Sequence, residues 1–285
     1  MNIIELFENA GIYKENIRDF SAEDIEKARR QFEIERSGNS NVQHDLGDNL
    51  ILAMQNFAGQ LLFISNNRIL YNFFSKKNYS RNRFNSDYKV SSSKEDVQAF
   101  IDKFLSKDLD AILNQLIEQN RFDNIDDFLA VKEYLPENSM ENLSKKVSEK
   151  LDFAIDSING NLQLSDINRT VEFLKYRSFY VLVSHFRSTE KDEKIKTVYN
   201  KVYNLHSNSA VRHELMNPMI SSLVNYNAVN YDLNALFRKN KDALDAANER
   251  VSDSGSSSGF SGWSIVVVII IVIRVILLLA RLGRA

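Results

Sequence analysis

Apolar positions along residues 1–250 recur with a helical period. Val97, Phe100, Ile101, Phe104 and Leu105 form one stripe, and Leu109, Ile112, Leu113, Leu116 and Ile117 form another. Both follow the i, i+3, i+4, i+7 spacing of one helix face. Met140, Leu143, Val147, Leu151, Ala154 and Ile158 line a further helix. Pro136 is expected to end the helix before it, and Gly160 to cap its end. Later helices are expected over 165–187, 190–206 and 219–249, with Asn217-Pro218 as a break. Ser21-Ala-Glu-Asp24 and Ser93-Lys-Glu-Asp96 read as N-terminal caps. The aromatic run from Val171 to Phe186 reads as a central core helix with rings on several faces.

Strand signals are missing. Residues 1–250 hold five Gly and two Pro, and the whole chain three Thr, too few for a set of β-turns and strands. The expected fold is therefore all-α, a multi-helix antiparallel bundle or an irregular α-solenoid. No fixed repeat is visible, and the tetratricopeptide, ankyrin and HEAT signatures are absent. The polar, basic stretch 76–93 is the clearest internal break. The expected division is an N-terminal helical unit (1–75), this loop (76–93) and a main helical domain (94–250).

The pattern changes abruptly at the C-terminal end. Residues 251–262 are a Gly/Ser-rich stretch that cannot bury apolar surface and reads as a flexible tether. The segment 263–282 follows, with an apolar run from Ile265 to Ala280 that is broken once, by Arg274. As a helix, the 23 residues from Phe260 to Leu282 extend about 34 Å, enough for a hydrocarbon core of about 30 Å. Trp263 and Arg281 sit where interfacial anchors belong. The fourteen Ile, Val and Leu residues of the run favour insertion by roughly 6 kcal/mol, against about 3 kcal/mol for one central Arg. Arg274 lies about 10 Å from Arg281 along the helix and can snorkel to the C-terminal surface. No polar face exists for an interfacial helix. We therefore expect a single transmembrane helix.

Charge and composition limit the chemistry. The chain has 285 residues, a formal net charge of −2 and no Cys, which excludes disulfides, Cys-ligated metals and thiol nucleophiles. The last 23 residues carry three Arg and no acid, leaving −5 on the rest. The beginning of the chain lacks the basic start and long apolar core of a signal peptide, so the head is expected to be cytoplasmic. The more basic C-terminal flank argues the other way. On a cytoplasmic head, the sequons at Asn78, Asn142 and Asn168 are chance matches.

Few residues carry candidate chemistry. His44, His185, His206 and His213 lack the i, i+4 pairing of a zinc helix. The isolated glycines make no phosphate loop, and there is no nucleophile elbow. Asp126-Asp127 and Asp108/Asp110 read as first-turn acids favouring helix dipoles. Lys76, Lys77, Arg81 and Arg83, interleaved with Tyr79 and Phe84, suit an anionic lipid surface or single-stranded nucleic acid. The plainer reading is a solvated loop, and a head charge of −5 argues against a dedicated nucleic-acid binder. No cofactor, metal site or catalytic set is expected.

The functional expectation is a tail-anchored protein whose head is a protein-interaction, scaffold or sensing module. The alternatives are a membrane-perturbing effector that oligomerises through its Arg-bearing helix, and an enzyme with a helical site.

Overall fold

The computed structural model of the chain describes residues 1–12, 20–38, 42–75, 92–158, 164–205 and 212–253. They are helical throughout, with no strand among the described residues. The chain is an all-α helical bundle protein with two compact units, 1–146 and 147–285.

The first unit opens with α1 (Ile3–Asn9), α2 (Ala22–Gly38), α3 (Leu46–Asn56), α4 (Ala58–Asn66) and α5 (Arg68–Ser75). α1 is packed among α2, α3 and α5 and buries Ile3, Ile4, Leu6 and Phe7. Its first turn is closed by a reciprocal cap. The Asn2 side chain accepts from the Ile4 and Glu5 amides, and Glu5 accepts from the Asn2 amide. The Asn2 amide group also donates to the Phe74 carbonyl at 2.8 Å, fastening α1 to the end of α5. α3 approaches α2 so closely that a Cβ on Gly47 would lie 2.4 Å from the Phe32 ring.

α6 (Lys94–Glu118) packs on α4, and α7 (Phe122–Leu129) on α5. The two stripes expected between 97 and 117 are one face of this single 25-residue helix. Both capping signals are realised. Ser93 Oγ accepts from the Asp96 amide, and Ser21 and Asp24 cap each other reciprocally. The rings of Phe57, Phe100 and Phe104 meet edge-on or tilted, and Phe73 stacks on Phe128 at 3.6 Å. After α7 a 3-10 turn (Lys132–Tyr134) leads to α8 (Glu137–Ser157), which runs across the boundary between the units.

Pro136 opens α8 instead of ending a helix. It precedes the first helical residue, and its carbonyl accepts from the Met140 amide. Proline is tolerated there because no helix bond needs its missing N–H. Leu143, Val147, Leu151, Ala154 and Ile158 are buried as expected, and Met140 is half-buried. Gly160 lies outside the described residues.

In the second unit the helix expected over 165–187 is divided. α9 (Leu164–Thr170), a 3-10 turn (Glu172–Lys175) and α10 (Arg177–His185) take its place. Tyr176 is extended, which turns the chain between the last two. Two hydroxyls take up carbonyls near the break. Tyr180 Oη donates to Leu174 O at 2.8 Å, and Ser222 Oγ to Lys175 O at 2.6 Å. The aromatic run is core, with Phe173, Phe179 and Tyr180 fully buried, but it is not one helix.

α11 (Thr189–Asn204) follows, capped by Ser188. The Lys201 ammonium donates to the Ile155 and Ile158 carbonyls, a cation placed at the C-terminal end of α8. A π-helical turn (Arg212–Met216) leads into α12 (Asn217–Leu223), and α13 (Tyr231–Asp253) completes the described chain. Asn217-Pro218 begins α12 and breaks nothing, again because Pro sits in a first turn. The expected helix 219–249 is interrupted by residues 224–230.

Candidate functional site

Every residue singled out for lipid or nucleic-acid contact (Lys76, Lys77, Arg81, Arg83) and for the anchor (Trp263, Arg274, Arg281) lies outside the described residues. Among the described residues, no helix is long and apolar enough to cross a membrane. None of them forms a group of three or more His, Cys, Asp or Glu able to hold a metal ion. His44 and His213 are exposed, His185 is half-buried, and His206 lies outside the description. The acid pairs do not occupy first turns. Asp108 and Asp110 sit in the middle of α6, and Asp126 and Asp127 in the second half of α7. The first-turn acids there are Glu95, Asp96 and Asp123.

The most organised polar arrangement is centred on Asp192, in the first turn of α11. Its side chain is 3% exposed. Oδ1 accepts from Tyr226 Oη at 2.5 Å and from the Val229 amide at 3.3 Å, and Oδ2 from the Asn230 amide at 2.8 Å. A buried carboxylate is tolerated only with such partners, and the N-terminal end of α11 adds a favourable dipole. Tyr226, itself 2% exposed, has its pKa pushed well above the ordinary tyrosine value by burial and by its bond to Asp192. The pair clamps the 226–230 connection to the start of α11.

The rest of the 225–230 connection is held just as fully. The Asn227 amide donates to Ser184 Oγ at 2.8 Å. Asn234 pairs with both backbone groups of Ala228, at 2.8 and 3.0 Å. Asn230 caps α13 by accepting from the Asp232 and Leu233 amides. Among the exposed polar residues Asn227, Asn230 and Asp232, this scaffold displays two large apolar ones, Val229 at 54% exposure and Tyr231 at 82%. A second buried polar contact runs from Asn240 Nδ2 to Tyr199 Oη at 3.1 Å. Burial pushes the pKa of Tyr199 up and that of the Lys191 ammonium down.

None of Asp192, Tyr226, Val229 or Tyr231 was marked by the sequence reading. One signal was present. Asn225-Tyr-Asn-Ala-Val-Asn-Tyr-Asp232 places three Asn in six residues before an acid, the composition of a turn followed by a helix cap. Comparison with family models, with curated proteins and with solved structures finds no match.

Proposed function

We propose that the chain is a tail-anchored membrane protein whose helical head docks a protein partner at the bilayer surface, with the head on the cytoplasmic side. The apolar run Ile265–Ala280 carries the reading, bounded by Trp263 and Arg281 and preceded by a Gly/Ser tether. The edge at Val229 and Tyr231 is the place the head offers to a partner. A pre-ordered backbone loses little entropy on association, and an exposed Tyr is a frequent anchor of protein interfaces.

The test is flotation of the full chain with liposomes, compared with the chain lacking 263–285. The full chain should float, and the truncated chain should stay in solution, folded and helical. A truncated chain that floats as well, or precipitates unfolded, refutes the anchor. The second reading, a membrane-perturbing effector, rests on Arg274. No acid lies within the run, so Arg274 would need a partner from another chain, a phosphate or water. Under the anchor reading Arg274→Leu strengthens insertion and leaves partner capture intact. An inserted, folded and inactive Arg274→Leu protein would favour the effector.

A further inference from the structure

We infer that the segment from Val97 to Tyr176 is two copies of one helical repeat with a period of 42 residues. This does not depend on the membrane anchor.

The same elements follow one another twice. α6, α7 and the 3-10 turn 132–134 have 25, 8 and 3 residues. α8, α9 and the 3-10 turn 172–175 have 21, 7 and 4. At an offset of 42 four buried positions coincide, Val97 with Ser139, Ile101 with Leu143, Leu105 with Val147, and Leu109 with Leu151, while buried Leu113 falls on half-buried Ile155. A four-residue stripe repeats itself within any helix, so α6 against α8 is one coincidence. The next helix supplies an independent one, because Ile125 and Ile167 are buried at the same offset.

The joint is a third. Val131 (φ −113°, ψ 22°) and Val171 (φ −112°, ψ 25°) precede their 3-10 turns with almost identical backbones. Leu135 (φ −93°, ψ 142°) and Tyr176 (φ −89°, ψ 123°) leave them extended. The amides of both exit residues bond three residues back, to Lys132 O and Phe173 O. By the joint the offset has fallen to 40, through α9 and the link after it each being one residue shorter, and it returns to 41 through the longer second turn.

The copies differ where their surroundings differ. Phe100 and Phe128 are buried, whereas Asn142 and Thr170, 42 residues on, are exposed. Phe100 meets Phe57, and Phe128 meets Phe73 and Phe74, so these two rings serve contacts with the α4 and α5 region. Removing such rings from a copy hides its kinship, which is why no period is visible along the sequence alone.

A tandem repeat tolerates one more unit in phase, because each unit brings its own local contacts. Inserting a second copy of residues 106–147 directly after Val147 joins Val147 to Ser106, the residue that follows Leu105. Inserting 108–147 instead misplaces the stripe by two residues, about 200° around the helix. Hydrogen exchange of peptides from the duplicated segment is the readout. The in-phase chain should show one slowly exchanging envelope, and the out-of-phase chain a second envelope exchanging on the order of 100-fold faster. Two envelopes in both chains, or one in both, would overturn the repeat.

Discussion

The two units are held together by different means. The first relies on rings and caps. Phe57, Phe100 and Phe104 cluster, Phe73 stacks on Phe128, and Asn2, Ser21 and Ser93 close helix starts. The first also has a buried fastening between distant elements, from Asn2 to the Phe74 carbonyl, whereas the second has several, buried or partly buried. Asp192 holds 226–230, Asn240 holds Tyr199, Lys201 holds the end of α8, and Ser222 holds the break at Lys175. Apolar contacts are tolerant, since neighbours shift and share the loss. A buried polar fastening is not, because removing one partner leaves the other unsatisfied. The second unit should therefore be the more sensitive to a single atom and to pH.

Asp192→Ala gives the largest contrast. It strands the Tyr226 hydroxyl and the Val229 and Asn230 amides, and each buried donor left unsatisfied costs about 1–3 kcal/mol. Hydrogen exchange should rise sharply over 177–240 and little over 46–75. Equal loosening of both segments would mean that the clamp does not localise stability as argued.

Alkali should act on the second unit in the same sense. Tyr180, Tyr199 and Tyr226 are buried there, and burial raises the pKa of each above the usual value of about 10. Below that value the phenols are neutral in both states and stability is unaffected. Above it the unfolded chain ionises and the folded chain does not, so stability falls as pH rises. Tyr180 alone contributes a slope of about 1.4 kcal/mol per pH unit. Phenolate absorbance should therefore lag above pH 10 and then rise together with the loss of helix. A smooth titration with helix intact would refute the burial argument.

How much of this was legible in the sequence depended on range. The all-α class, the 94–118 stripe and the Ser21 and Ser93 caps were readable, because helix period and capping act within a few residues. The break at 171–176 was not, since its apolar residues could continue a helix, and the one at 224–230 was signalled only by its three Asn. What turns the chain is a distant group, Ser222 at the first break and Ser184 and Asp192 at the second. The polar clamp was illegible for the same reason, since Asp192 and Tyr226 are 34 residues apart. The misplacement of Asp126 and Asp127 has a local cause: α7 begins at Phe122, which makes Asp123 the first-turn acid.

In the first unit the rigidity of apolar packing can be probed at Gly47. Its Cβ would meet three atoms of the Phe32 ring at 2.4–2.8 Å, so Gly47→Ala must displace either the ring or α3 from α2. Overpacking of this kind costs about 1–3 kcal/mol. Denaturant unfolding should show the loss, and pairing the change with Phe32→Leu should recover part of it. A neutral Gly47→Ala would show that this helix pair yields as a whole.

The smallest effect tests whether the first unit keeps any polar strain of its own. Asn120 follows α6 with φ +56°, the left-handed conformation that closes the helix. Arg121 N bonds Leu116 O, and Asn120 N bonds Ile117 O, which together form a Schellman closure. Asn tolerates this backbone better than most residues, but Gly adopts it without strain. The Asn120 side-chain oxygen is also buried with no hydrogen-bond partner among the described residues. Asn120→Gly removes both costs and should stabilise the protein by about 0.5–1 kcal/mol, less whatever backbone entropy the unfolded chain gains. Asn120→Ala removes the polar atom but keeps the strain, and should lose about 1 kcal/mol. Opposite signs for the two substitutions would assign the cost to the backbone. A gain in both would assign it to the stranded oxygen, and the first unit would then share the polar sensitivity of the second.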